Sequence, residues 1–494
     1  MNTKYIWLLL VFVGLMACES DDGATTTDTS VPLMAGTADF SNYVALGASF
    51  TAGFTDGALF IASQENSFPN ILSQQFAALG GGDFSQPFMN DNNGGLLLGG
   101  NQIANPRLFF NGAGPAVLNA VPSTEVSNVQ AGPYSNMGVP GAKSFHVLAN
   151  GYGNVAGVPS GLANPYYARM ASNPGASMLE DALAQSPSFF TISEMGGNDV
   201  LSFATSGGLG VDQTGNLDPS TYGGNDITDP LVFAGTLDAI VSAMTAGGAK
   251  GALTNVPYVT SLPYFTTVPF NPVPLDAATA GLVNQGYAAY NGGLLQAEAG
   301  GLISAEERAA RTILFVEGQN AVVLEDEDLT DLSGLGLPNF RQSTAADLVV
   351  LPASAFIGTT VNNNPLLING VSVPLTDQWV LTSTETQSVI TATDAYNVTI
   401  EAVAAANGLA FVDLRSILEQ ASTTGIFFDD YNMNTSLVFG GLVSLDGIHL
   451  TARGYALMAN KFLEAIDATY GSNFIEAGQR AKADDYVVAY PESL

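Results

Sequence analysis

Five short apolar runs constrain this chain more than any other feature: residues 43–46, 189–193, 251–254, 313–316 and 409–412. None is long enough for a helix. Apolar residues fill most positions of both alternating sets, as in strands buried on both faces of a parallel sheet. Longer stretches with helical spacing, residues 231–246, 277–297, 386–406 and 451–470, lie among them or close the chain. Strand–helix alternation predicts an α/β fold, a three-layer α/β/α sandwich with a mainly parallel sheet. In such a fold the chemistry sits beyond the carboxyl ends of the strands.

Three stretches break that rhythm: residues 80–132, 207–229 and 317–378, all rich in Gly, Asn, Asp and Pro. They read as irregular insertions that shape or cover the site, since long loops in a domain are functional or mobile. The third carries the acidic run Leu324-Glu325-Asp326-Glu327-Asp328-Leu329. It lacks the alternating oxygen ligands and the glycine of a calcium loop and reads as a solvated turn.

Thirteen Lys and Arg against 45 Asp and Glu give a net charge of −32. That field repels phosphate backbones and anionic bilayers, so nucleic acid is not an expected partner. The single cysteine, Cys18, excludes an intramolecular disulfide framework and a multi-cysteine metal site. Lys4 followed by the twelve apolar residues 6–17 suits the core of an export signal and is too short to span a bilayer. Leu15-Met16-Ala17-Cys18 resembles the bacterial lipobox, in which the cysteine is acylated. The expectation is a signal peptide over residues 1–18, a flexible tether over 19–38, a catalytic domain over 39–475 and a tail over 476–494. Glu19-Ser20-Asp21-Asp22 is similar to acidic signals that send some lipoproteins of the Bacteroidota to the cell surface. An exported protein, lipid-anchored through Cys18 to the outer membrane, is the expected state.

Metal-free ester hydrolysis needs a nucleophile, a base, a group to orient the base and donors for the oxyanion. Only His146 and His449 are available as imidazole bases. Ser49 follows the first strand in a run of small residues, Ala45-Leu46-Gly47-Ala48-Ser49, a turn that presents a hydroxyl at the sheet edge or merely caps a helix. Asn136-Met137-Gly138-Val139-Pro140-Gly141-Ala142 reads by itself as a bare turn. Ser193-Glu194-Met195-Gly196-Gly197-Asn198-Asp199 follows a middle strand and either offers the Asn198 amide to an oxyanion or caps a helix. In Asp446-Gly447-Ile448-His449, a spacing of three lets the carboxylate hold one imidazole nitrogen and leave the other free as a base. His146 reads as structural or pocket-lining, and Asp199 as a brace for its loop.

In this order the four segments resemble the blocks of the SGNH (GDSL-like) serine hydrolase family, over residues 43 to about 470. The resemblance implies a flavodoxin-like sheet, Ser49 as nucleophile, His449 as base and Asp446 as its partner. It implies an oxyanion hole from the Ser49 N–H, Gly141 and Asn198, with no metal or cofactor. Ala48 stands where the family usually has aspartate, and Phe50 where leucine is common. Thr254-Asn255-Val256-Pro257 is similar to a further family segment beside the pocket. Pro257, Pro263 and Pro269 with Tyr258, Tyr264, Phe265 and Phe270 could wall an acyl or aryl group. The implied activity is a carboxylic ester hydrolase, an esterase or lipase acting on a small-molecule, lipid or glycan ester. The alternatives are an inactive surface lipoprotein that binds glycans or lipids, and an acyltransferase on the same scaffold.

Overall fold

A computed structural model describes residues 31–494; Cys18, the expected signal peptide and most of the expected tether lie outside the described residues. Five strands form one sheet: β1 (Tyr43–Gly47), β2 (Asn136–Gly138), β3 (Phe189–Ile192), β4 (Lys250–Thr254) and β5 (Ala410–Val412). Their order is β5-β4-β3-β1-β2 and every pairing is parallel, with Ala45 opposite Asn136 and Thr191. Four of the five strands coincide with apolar runs in the sequence. Residues 313–316 form no strand; the amides of Ile313 and Phe315 instead donate to the side chains of Asn291 and Asn284. β2 falls in the segment read as a bare turn, its three residues too few to show a period.

Alternation along β1 builds the three layers. Val44 and Leu46 face a core shared with the helices Pro230–Thr245 and Ser383–Ala406, through residues such as Phe233, Ile240, Val389 and Tyr396. Tyr43 and Ala45 face the other core, with Phe68 and Phe76 of the helix Phe68–Ala77 and Phe462 and Ile466 of the helix Ala452–Tyr470. The result is the three-layer sandwich, doubly wound in the flavodoxin-like order.

The unit runs from Leu33 to Leu494. Residues 33–38, read as part of the tether, are packed: Thr37 N–H donates to Tyr470 O at 2.8 Å, and Lys250 Nζ to Thr37 O at 2.5 Å. The end of the chain packs too, with Tyr490 against Phe60 and Pro491 O accepting from Arg107 Nη2 at 2.6 Å. The insertions hold small antiparallel ribbons, Leu96–Leu98 with Asn101–Ala104 and Val323–Glu325 with Phe340–Gln342 among them. The acidic run is only partly solvated. Asp326 turns inward to Arg341 at 2.5 Å, which also holds Asp347 at 2.7 Å, because a buried guanidinium needs paired carboxylates. Among the described residues no helix is long and apolar enough to cross a membrane.

Candidate active site

β1 stops at Gly47 and the chain turns at once into the one-turn helix Ser49–Ala52. Two absent side chains let that turn sit against β2. A Cβ on Gly47 would lie 2.1 Å from Thr51 Oγ1, and one on Gly138 2.2 Å from the Ala52 nitrogen. Ser49 is buried at the carboxyl end of the sheet, and its N–H has no partner among the described residues.

The loop after β3 supplies the carboxylate that organises this turn. Glu194 accepts from the N–H groups of Ala48 (3.1 Å), Phe50 (2.6 Å) and Thr51 (3.0 Å), and from Ser49 Oγ at 3.4 Å. Unpaired amides at a helix start favour an anion there. Burial pushes the Glu194 carboxyl up, and the three amides and His449 oppose it without reversing it. Its φ is +62°, a left-handed conformation that a non-glycine residue adopts at a cost of about 1–3 kcal/mol.

His449 and Asp446 enter from the loop before the last helix. His449 Nδ1 lies 2.8 Å from Asp446 Oδ2. Asp446 also accepts from the amides of Ile448 and His449 at 2.9 Å each, Ser444 Oγ at 3.0 Å and the Gly57 N–H at 2.8 Å. Burial alone would raise its carboxyl, but His449 and the amides outweigh it and hold the group well below the usual carboxylate range. An ionised Asp446 accepting from Nδ1–H leaves Nε2 with the lone pair. The imidazole sits beside the rings of Phe54 and Phe50, at 4.6 and 5.8 Å between centroids. No hydrogen bond joins Ser49 to His449; the serine hydroxyl leans on Glu194 and Nε2 has no partner among the described residues.

A turn from early in the chain braces this loop. Asp56 N–H donates to Ser444 Oγ at 3.1 Å, and Asp56 Oδ1 accepts from the Leu445 N–H at 3.0 Å. Burial, with Asp446 nearby, pushes the Asp56 carboxyl up to about 7 despite the Leu445 amide and Arg107. Asp56, like Glu194, has a positive φ, +52°.

Asn198 lines the same cavity as Ser49, and Gly141 lines a larger one that shares Asn198 with it. Asn198 Nδ2 gives one hydrogen to Ala142 O at 2.9 Å, which ties the two loops together and leaves its second N–H unused. Gly141 has φ +79° and an unpartnered N–H among the described residues. Asp199 braces the neighbouring turn, accepting from Ser144 N–H at 2.9 Å and Ser144 Oγ at 2.7 Å.

Three cavities meet here. Ser49, Asn198, Ile448 and Leu262 line an apolar one of about 50 Å³, and a second of about 50 Å³ continues past Phe50 and Leu414 toward Leu457 and Lys461. The third, about 500 Å³, is polar and aromatic and adjoins the first at Asn198, Leu201 and Ile448. Of the expected aromatic wall, Pro257 lines the apolar slot and Tyr264 the large cavity. Phe265 is buried in the core, and Tyr258 lies under the Arg415 guanidinium at 4.2 Å. Among the described residues no group of three or more His, Cys, Asp or Glu is arranged to hold a metal ion.

Ser49, Asn198 and the Asp446–His449 loop therefore meet around one cleft with Gly141 and His146, whereas of the expected aromatic wall only Pro257 and Tyr264 reach it, and Cys18 lies outside the described residues. Sequence reasoning missed Glu194 as an acceptor, although it lies inside a motif already noted, and missed Asp56 and Ser444. Asp56-Gly57 carries no signal beyond that of a turn.

No family model matches the chain, and no curated protein is similar to it. Among solved structures it is similar to the lipase/acylhydrolase from Enterococcus faecalis, with 11% identity over 87% of this chain and 96% of that chain. The TM-score is 0.28, so the fold rests on the sheet order and pairing described above.

Proposed function

We propose that this chain is a serine hydrolase that cleaves carboxylic esters through an acyl-enzyme. The observation that carries the reading is the Asp446–His449 pair, at 2.8 Å, beside a serine whose own N–H has no partner among the described residues. Ser49 Oγ leaves Glu194 by rotation about its Cα–Cβ bond and attacks the ester carbonyl carbon as its proton passes to His449 Nε2. Asp446 stabilises the imidazolium that forms. The N–H groups of Ser49 and Gly141 and the free N–H of Asn198 receive the oxyanion. Collapse expels the alcohol, which takes the proton from His449; water then repeats the sequence and releases the carboxylic acid. The apolar slot holds the acyl tail. The test is labelling with a fluorophosphonate: Ser49 is expected to carry the adduct, and Ser49→Ala to lose both the adduct and ester cleavage. An unlabelled parent chain that cleaves no ester would leave the binding-protein reading in its place. Lipid attachment at Cys18 belongs to the same proposal, and Cys18→Ser is expected to move the protein from the membrane to the soluble fraction.

A further inference from the structure

The 500 Å³ cavity beside the oxyanion donors carries polar and aromatic side chains that the apolar acyl slot lacks. Its size is that of a small-molecule site. Its walls include His146, Tyr152, Tyr222, Tyr264, Ser202 and Lys143. The His146 ring stacks on Tyr152 at 4.2 Å and 13°. His146 Nδ1 accepts the Lys143 N–H at 3.0 Å, so the proton of the neutral ring must sit on Nε2. Burial and the nearby Lys143 charge push this histidine down to about 4, which keeps it neutral at ordinary pH. Nε2–H has no acceptor among the described residues. Tyr152 OH accepts from Asn164 Nδ2 at 3.3 Å and keeps its own proton. Ser202 Oγ spends its proton on Asn198 O at 3.0 Å and keeps its lone pairs. Fixed donors, an acceptor and flat aromatic faces recognise hydroxyl groups on a saturated skeleton.

The cavity offers no free charge. Lys143, its only charged wall residue among the described residues, donates to Asp226 O at 2.5 Å and is countered by the carboxylates of Asp199 and Asp226. A phosphorylated or carboxylated group finds no cation to pair with there.

We propose that this cavity seats the alcohol portion of the ester, that the alcohol is a neutral, hydroxyl-rich compound, and that the His146 Nε2–H is a specificity-determining donor. The inference rests on the ester-hydrolase reading. A sugar and glycerol share this chemistry, and the test separates them. The full chain is assayed on butanoyl esters that differ only in the alcohol: methyl glucoside, glycerol, cyclohexylmethanol and p-nitrophenol. The expected result is a higher kcat/KM for at least one of the two polyol esters than for the cyclohexylmethyl ester. In His146→Phe, which keeps the stack on Tyr152, the ratio of polyol ester to p-nitrophenyl ester is expected to fall about five- to tenfold, mainly through KM. A measurement on the parent needs no variant: methyl glucoside or glycerol should compete with p-nitrophenyl butanoate where cyclohexylmethanol does not. Equal kcat/KM across the alcohols with no competition overturns the inference while leaving the hydrolase reading intact. If no ester is cleaved and Ser49 takes no fluorophosphonate, both fall.

Discussion

Replacing Glu194 by glutamine puts an amide NH₂ where three backbone N–H groups converge, so the side chain can no longer accept from all of them. The turn that presents Ser49 should loosen, with kcat falling about 10- to 100-fold while KM changes little, since a small misplacement of a nucleophile costs that much. Steady-state kinetics on Glu194→Gln checks it. Ser49→Ala and His449→Ala should each lower kcat by several orders of magnitude, because nucleophile and base act as a unit. Asn198→Ala should cost about 10² to 10³-fold, the usual effect of one oxyanion donor, read in the same assay. Ser49, Asn198, Asp446 and His449 were legible because each sits in a short motif at the end of a strand or the start of a helix. Glu194 and Asp56 were not. What they do depends on groups brought to them by folding: amides 143 to 146 positions away for Glu194, and the Ser444 hydroxyl and Leu445 amide, 388 and 389 positions away, for Asp56.

The helix Ser383–Ala406 opens on a capping box in which Glu385 Oε2 accepts from Thr382 N–H at 2.7 Å and Thr382 Oγ1 at 2.9 Å. Burial pushes the Glu385 carboxyl up to about 7 against those bonds, with Glu327 and Asp377 adding to the rise. Its folded value exceeds its unfolded one, so its contribution to stability is complete below pH about 4.5 and is lost as pH climbs through about 7. Glu385→Gln should remove that part of the decline, seen as a flatter plot of melting temperature against pH between 5 and 8. The two 50 Å³ cavities behind Ser49 make a second prediction for the helices that wall them. At roughly 10–15 Å³ for each water-sized group, they take about seven to ten carbons. In a p-nitrophenyl ester series kcat/KM should rise up to about fourfold per methylene to that length and then level off, at about 0.8 kcal/mol per methylene. The long helices and four strands could be read because their periods repeat over many residues or their runs are mostly apolar. β2 is too short to carry a period, and residues 313–316 have strand composition but lie against the helix Ala277–Ala299, where the side chains of Asn284 and Asn291 take the ladder's place.

Across the whole molecule, both ends of the described chain close over the same sandwich. A chain beginning at Leu33 should melt like the parent, whereas one beginning at Asp39 loses the hydrogen bonds of Thr37 to Tyr470 and Lys250. At about 1 kcal/mol for each bond, spread over the unfolding entropy of so large a unit, its melting temperature should fall by roughly 2 °C in calorimetry. The carboxylate that orients His449 is gripped by the N–H of Gly57, 389 positions earlier. A chain that emerges amino end first thus carries its nucleophile for most of its synthesis with no base to arm it. On the hydrolase reading, competence arrives only when the last loop docks onto the first turn.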